Sequence, residues 1–580
     1  MMTLELSKRR DVIKEVILNV LALALLVFVM TKNIGFDNMT ALMNDEFGYW
    51  GNAVALTDIN WEPLREQTPY FSNGYSIILA LLITIMKSSS FADIYQVAVC
   101  VNIVFICVAY LCTYYCCRIL FEKDSVKATL VALASNFLVG NLFYVHMTWP
   151  EAMITMLMWI FVALFISLVK KFSWVKTAIA CAVLVMLYIT HQRALGIFVV
   201  FFIALILVLI KNKKKLWFLI PVVAGLALAF AIQVFADSFV AHADGVANSA
   251  TNNLTSKPTG IIEKYVGLVL DHFLLFVYSF AGKLFCMGIT SLGLAIIPVI
   301  SLCSRIIKMI KAKKLDLSDE FIIEFFIVCS FLVMLAMNAV MTLPASRKDL
   351  IVYSRYMEYT IGPLFVLMFK IFLKEGRKYR WWIVVSFIYT GATSLLIQYR
   401  FMTVPAGFSL YCSPLIGSFF RLCNNDERIV PFLCVILVIF ALVLITSIAT
   451  LRGEKTKAAA LLVVFIFANF FSYYYALEQL RRNRDHYHTK IDPICAQIEA
   501  YPEDYKIYFI KDDENFKYSM SPKYLQFMLK ERTIDVVDNA SKLPQSGHYL
   551  VLTNYSKETK YYNGEVLEHT DLLDLFIVNG

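Results

Sequence analysis

Charge is scarce in this sequence. Asp, Glu, Lys and Arg make up 17% of 580 residues against 59% hydrophobic, where soluble domains carry about a quarter and about half. That deficit excludes a string of soluble domains, a disordered chain and a fibrous one. No CxxC pair occurs among the 13 cysteines, most of which sit in apolar runs, which argues against a zinc ribbon or thioredoxin-like site. No small-residue cleavage site follows the first apolar run, which points to an anchor rather than a removed signal peptide. No internal repeat is visible, which disfavours an inverted-repeat transporter. The net charge of +9 would suggest nucleic acid in a soluble protein. Here it follows the bias of membrane proteins toward basic cytoplasmic loops, and no nucleic-acid partner is expected.

What the sequence has is apolar runs of the length that crosses a bilayer. They fall near 16–30, 93–117, 128–143, 152–169, 174–190, 194–210, 216–236, 284–303, 322–343, 359–373, 381–397, 429–448 and 457–475. Basic clusters separate many of them: Arg118/Lys123/Lys127, Lys170/Lys171/Lys176, Lys211 to Lys215, Arg305 to Lys314, Lys374 to Arg380 and Arg452 to Lys457. All of these belong on the cytoplasmic side only if two further apolar stretches, 70–86 and 261–281, lie in the outer interface. The expectation is a polytopic α-helical membrane protein with about 13 transmembrane helices, N-terminus inside. The tail, 476–580, is charged and aromatic and alternates strand-like with helical stretches. It reads as a small α/β extracytoplasmic domain following a transmembrane domain of residues 1–475.

Charges that break this pattern are the candidate functional residues. Asp45 and Glu46 stand just past the first run, ahead of Phe47, Trp50 and Val54 at helical spacing. Asn44 would cap a short helix there, and acids in a first turn suit the helix dipole. Carboxylates so placed could equally take a proton from a hydroxyl or hold a divalent cation. Arg347, Lys348 and Asp349, then Arg355, Tyr356 and Glu358, put cations on the outside; Arg355 and Glu358 would pair at i,i+3 on one helix face. Guanidinium groups there suit an anionic head group. His191-Gln192-Arg193 fills a tight outer turn and reads as an interfacial anchor or a second phosphate contact. Pro150-Glu151 opens a span in the manner of a helix start, and His146 could ligate a metal or be an interface residue. The cluster Arg481 to His488 could touch lipid phosphate but reads by default as a solvated linker, and Cys412 and Cys423 share a loop in which they could pair or stay free.

Together, the N-in anchor, the early acidic pair Asp45-Glu46, the non-spanning apolar helix, Pro150-Glu151, His191-Gln192-Arg193 and Arg355-Tyr356-Met357-Glu358 resemble the GT-C superfamily of membrane glycosyltransferases. Its members include protein O-mannosyltransferases and lipid A aminoarabinose transferases. The resemblance spans roughly residues 1–475. Many relatives carry paired prolines where this chain has Thr68-Pro69-Tyr70-Phe71-Ser72-Asn73-Gly74. The resemblance implies an enzyme of the cell membrane that passes a sugar from a polyprenyl-phosphate donor to a glycan, lipid or protein acceptor at the outer leaflet, with inversion. It implies Asp45 as the base with Glu46 beside it. Arg355, Arg193, Arg347, Lys348 and His191 would hold the donor phosphate, and Glu151, His146, Tyr356 and Glu358 would contact substrate. Some relatives use a divalent cation near the first-loop acid, for which Asp45, Glu46 and His146 are the donors here.

The rivals come from other classes. A transporter or flippase of polyprenyl-linked glycans should carry charge through its central spans, which here are almost free of ionisable residues. A polymerase or ligase should carry arginine and histidine in a late outer loop; 398–428 has Arg400 and Arg421 but no histidine. An anchored sensor would have no use for acids beside its first span.

Overall fold

Apolar runs bounded by basic clusters fold as helices here. The computed structural model describes residues 2–32, 40–41, 43–61, 72–243, 266–343, 347–375, 380–404, 410–423, 429–510, 521–554 and 564–579. Helix α1 (Met2–Thr31) leads to the short α2 (Asn44–Val54) and α3 (Gly74–Ile85), then α4 (Phe91–Leu120), α5 (Ser125–Asn136), α6 (Val139–Tyr144), α7 (Glu151–Lys170), α8 (Trp174–Thr190), α9 (Leu195–Lys211) and α10 (Ile220–Ala243). There follow α11 (Phe273–Thr290), α12 (Ile296–Ala312), α13 (Asp319–Met341), α14 (Lys348–Ile351), α15 (Glu358–Glu375), α16 (Arg380–Thr403), α17 (Pro414–Leu422), α18 (Val430–Thr450) and α19 (Glu454–Glu499). Among the described residues, nine helical segments are long and apolar enough to cross a membrane: Val12–Thr31, Phe91–Leu120, Glu151–Lys170, Gln192–Lys211, Leu216–Ala236, Phe273–Thr290, Asp319–Met341, Val430–Thr450 and Glu454–Glu499. The chain is an integral membrane protein.

Two expected spans are built differently. The run 128–143 is α5 and α6, broken at Phe137–Leu138; Asn469 from α19 accepts the Val139 amide (2.9 Å), a donor that the break frees. The run 284–303 is interrupted by a turn over 291–295, where Leu292 and Gly293 take positive φ. The apolar helix there is α11, which takes in residues 273–281 of the stretch expected in the interface. Helix α3 has 12 residues and reaches about 18 Å, short of the about 30 Å of a hydrocarbon core. Its neighbouring motif at Thr68–Phe71 lies outside the described residues.

The basic clusters meet at one end of the helices. Arg118 pairs with Glu15, Lys127 with Glu454, Lys170 and Lys211 with Asp319, Lys370 with Glu320 and Lys374 with Glu122. These pairs draw together segments far apart in sequence, as a shared side of the membrane requires.

Helix α19 runs 46 residues, through 475–476 without a break, and delivers the chain to a sheet. That sheet has strand order β2-β1-β3-β5-β4: β1 (Lys506–Ile510), β2 (Ile534–Val537), β3 (His548–Asn554), β4 (Glu565–His569) and β5 (Leu573–Asn579). β1 runs parallel to β2 and β3, and the crossover from β1 to β2 carries α20 (Ser521–Leu529). β5 closes the sheet antiparallel to β3 and β4. Cys412 and Cys423 are not joined in a disulfide.

Candidate active site

Arg355 is the centre of the buried polar cluster. Its backbone is not helical: α15 begins only at Glu358, and Met357 N–H closes a turn onto the Ser354 carbonyl (2.9 Å). Irregular backbone beside apolar helices needs every carbonyl satisfied. Here the neighbouring helices do it. Lys283 of α11, fully buried, donates to the carbonyls of Leu350 (2.5 Å) and Ile351 (3.1 Å), Cys286 Sγ to Val352 (2.9 Å), and Asn338 of α13 to Tyr353 (2.6 Å). The amides of Ser354 and Arg355 both donate to the Cys412 carbonyl (3.1 and 3.2 Å). The segment is therefore pinned from three sides.

From there the guanidinium reaches two acids. Arg355 Nε donates to Glu151 Oε1 (2.7 Å) and Nη1 to Asp45 Oδ2 (2.5 Å). Its face lies 3.5 Å from the Trp149 ring centroid, a cation–π contact that fixes the plane. Arg193, on the 3₁₀ turn Gln192–Ala194, donates through Nη2 to the same Glu151 Oε1 (3.0 Å) and sits 4.6 Å over the Tyr356 ring. Burial opposes the charge on Arg355, but Glu151, Tyr353 and Asp45 outweigh it and hold its pKa well above the ordinary range. Glu151, first residue of α7, thus aligns both arginines with a single oxygen. The remaining Nε and Nη1 of Arg193 and the Oε2 of Glu151 have no partner among the described residues.

The expected Arg355–Glu358 pair does not form. The residues do not share a helix face, because the backbone at Arg355 is a turn, and Glu358 instead accepts from Ser354 Oγ. Glu358 and Glu151 line a cavity of about 10 Å³ with Gly140, Asn141, Tyr144 and Arg355, water-sized and too small for a sugar. Both arginines are buried, and of the two acids that hold Arg355, Asp45 keeps 30% of its side-chain surface exposed against 6% for Glu151.

The other candidates are dispersed. Asn44 does not cap α2, which starts at Asn44 itself after Met43. Glu46 is fully buried and accepts from Tyr95 Oη (2.7 Å), Thr148 N (2.9 Å), Thr148 Oγ1 (3.0 Å) and Met43 N (3.2 Å). Arg347 forks onto Asp349 (3.0 and 2.8 Å) and is half exposed, and Lys348 is buried. His191 lies 5.7 Å from the Tyr356 ring, tilted by 54°, and accepts from the Arg193 amide (3.3 Å); burial and then Arg193 and Arg355 drive its pKa far down, so it is a neutral imidazole. His146 Nε2 lies 2.8 Å from Tyr473 Oη, and burial followed by Arg484 lowers its pKa to about 3.

Asp45, Glu46 and His146 thus turn to Arg355, Tyr95/Thr148 and Tyr473 respectively. Among the described residues no group of three His, Cys, Asp or Glu side chains converges to hold a metal. The donor set expected for a divalent cation does not fit one.

Four participants escaped the sequence reading. Trp149 gave no separable signal among many aromatics. Lys283 is a lone lysine in an apolar run, the kind of residue that marks a buried polar role. Arg484 and His488 are buried, not solvated. Arg484 donates to Tyr95 Oη (2.9 Å) and the His146 carbonyl (2.8 Å), and its place at helical spacing with Leu477, Leu480 and Ile491 was the available sign.

No protein-family model matches the sequence, and a search of curated proteins finds no match. Solved structures do match. The chain superimposes on ArnT, the lipid A aminoarabinose transferase, from Cupriavidus metallidurans bound to undecaprenyl phosphate, over 96% of this chain and 97% of that one, with a TM-score of 0.54 and 12% identity. The fold is the GT-C fold. The ligand-free ArnT structure gives the same coverage with a TM-score of 0.52 and 11% identity. On this fold the buried arginines and Asp45 come from α2, the turn before α9 and the turn before α15, elements scattered over 310 residues and joined by tertiary packing.

Proposed function

We propose that this protein is a glycosyltransferase that moves a sugar from a polyprenyl-phosphate-linked donor to an acceptor hydroxyl at the outer leaflet. The observation that carries this reading is the pair of buried guanidinium groups, Arg355 and Arg193, aligned on Glu151, with the partly exposed Asp45 bound to Arg355. Fixed cations in a water-poor site stabilise a departing phosphate far more than the same groups would in water. Undecaprenyl phosphate in the ArnT structure is the ligand chemistry such a site would take.

In the reaction, the acceptor oxygen attacks the anomeric carbon and its proton passes to an Asp45 carboxylate oxygen. The bond from that carbon to the phosphate oxygen breaks, and the electron pair leaves on the phosphate, held by Arg355 and Arg193. Attack opposite the leaving group inverts the anomeric centre. Glu46, already engaged by Tyr95 and Thr148, anchors α2. Because Arg355 Nη1 is occupied by Asp45, donor phosphate and Asp45 compete for one N–H. Donor binding therefore releases Asp45 from the guanidinium to face the acceptor, and the donor binds first.

The test starts from the lipid-linked sugars that accumulate in cells lacking the protein, supplied as donor to purified enzyme. Asp45→Asn should abolish transfer while the protein reaches the membrane at normal level. Full transfer by that variant would remove the base.

A further inference from the structure

The sheet domain takes no part in the chemistry above, yet it grips the helix that carries the proposed base. Lys523 of α20 is fully buried and donates from Nζ to Asn44 Oδ1 (2.6 Å), the residue before Asp45. One turn on, the Phe527 ring meets Trp50 edge-on (5.1 Å, 84°) and Phe47 likewise (6.2 Å, 76°), both on α2. The same ring packs on Phe91 (5.3 Å) and Tyr95 (6.3 Å) of α4, and Tyr95 holds Glu46. Just past α20, Lys530 Nζ donates to the carbonyls of Lys87 (2.5 Å) and Ser89 (3.0 Å), its own carbonyl accepts from Trp61 Nε1 (2.9 Å), and Thr533 Oγ1 donates to the Asn60 carbonyl (3.0 Å).

Helix α2 has 11 residues, a length about or below the limit for a helix stable alone in water. Its register is set by what packs on it: α3 and the residue before it, through Tyr49–Tyr75 and Asn52–Asn73, and α20 on the face of Asn44, Phe47 and Trp50. The described contacts of the Arg355 and Arg193 guanidinium groups go to Asp45, Glu151, Trp149, Tyr356 and Tyr359, none of them in α20. A change in α20 should therefore move the base without moving the phosphate site.

Resting on the proposed function, we infer that Lys523 and Phe527 are positioning residues through which the C-terminal domain sets the direction of Asp45. A displacement of about 1 Å of a reacting group lowers rates about a hundredfold. The aromatic edge-to-face contacts and the buried Lys523–Asn44 hydrogen bond are the fixings that such a displacement would release.

The experiment uses the full chain in lipid nanodiscs with two readouts: binding of undecaprenyl phosphate, and transfer from the lipid-linked sugar fraction of source cells lacking the protein. Lys523→Met and Phe527→Ala should bind undecaprenyl phosphate as tightly as the unaltered protein or tighter. Their transfer rate should fall about a hundredfold, and Phe527→Leu should recover part of it. An unchanged rate would overturn the inference, and so would loss of binding in step with rate, which is what a domain needed only for folding would give. If the unaltered protein failed to bind undecaprenyl phosphate, or Asp45→Asn kept full transfer, the proposed function itself would fall. A silent Lys523→Met and Phe527→Ala beside an inactive Asp45→Asn would strike this inference alone.

Discussion

At the residue scale, the central feature is a guanidinium shared by two carboxylates with different freedom. Glu151 is sealed and aligns Arg355 with Arg193, while Asp45 is partly exposed and can exchange. Asp45→Asn removes the competitor for Arg355 Nη1, so undecaprenyl phosphate should bind that variant about three- to tenfold tighter; isothermal titration checks this. A second expectation concerns His146, lowered to about 3 by burial and Arg484. An unfolded histidine titrates near about 6.5, so the unfolded state takes up a proton first as pH falls. Stability is then complete above about 6.5 and declines below it, by up to about 1.4 kcal/mol per pH unit. Thermal melts should drop between neutral and mildly acidic pH, and less so for His146→Gln; equal drops would contradict the assignment. Asp45, Arg193 and Arg355 were legible because charge beside a bilayer is conspicuous. The partners were not, because Arg355 looked fit to pair with Glu358 along a helix, and only tertiary contacts from Lys283, Cys286, Asn338 and Cys412 hold that backbone out of helical form.

At the scale of elements, irregular backbone in an apolar surround is affordable only where side chains satisfy it. Lys283→Met would orphan the carbonyls of Leu350 and Ile351, destabilising the protein by about 2–4 kcal/mol. It should also weaken undecaprenyl phosphate binding by loosening Arg355. Thermal shift and lipid titration on the same sample measure both effects. Gly140→Ala in α6 would drive a methyl group into the Glu358 carboxylate, so a lower melting temperature is expected there too. Hydropathy located most helices because the bilayer demands long apolar runs. It missed the breaks at Phe137–Leu138 and 291–295, since a run interrupted by a side-chain-capped break has the same composition as an unbroken span.

At the scale of the molecule, positive-inside reasoning grouped the basic clusters on one side, and the ion pairs Arg118–Glu15, Lys127–Glu454 and Lys370–Glu320 gather those segments at one end. The sheet domain touches Lys87 and Ser89 through Lys530, so it shares a side with residue 87. In intact cells, Lys87→Cys and Glu568→Cys should both react with a membrane-impermeant maleimide, and Lys313→Cys should not; the reverse pattern would invert the orientation. The sheet order and the grip of α20 on α2 had no sign in the sequence, because register between distant segments is set by packing. The decisive measurement is a titration of undecaprenyl phosphate, with undecaprenol as control, into the full-length protein, Arg355→Met and Asp45→Asn. The phosphate-bearing lipid should bind the unaltered protein, bind Arg355→Met at least about tenfold more weakly, and bind Asp45→Asn more tightly, with undecaprenol indifferent to both changes. Equal affinity of all three proteins for the phosphate, or no preference for it over undecaprenol, would contradict a phosphate site at Arg355.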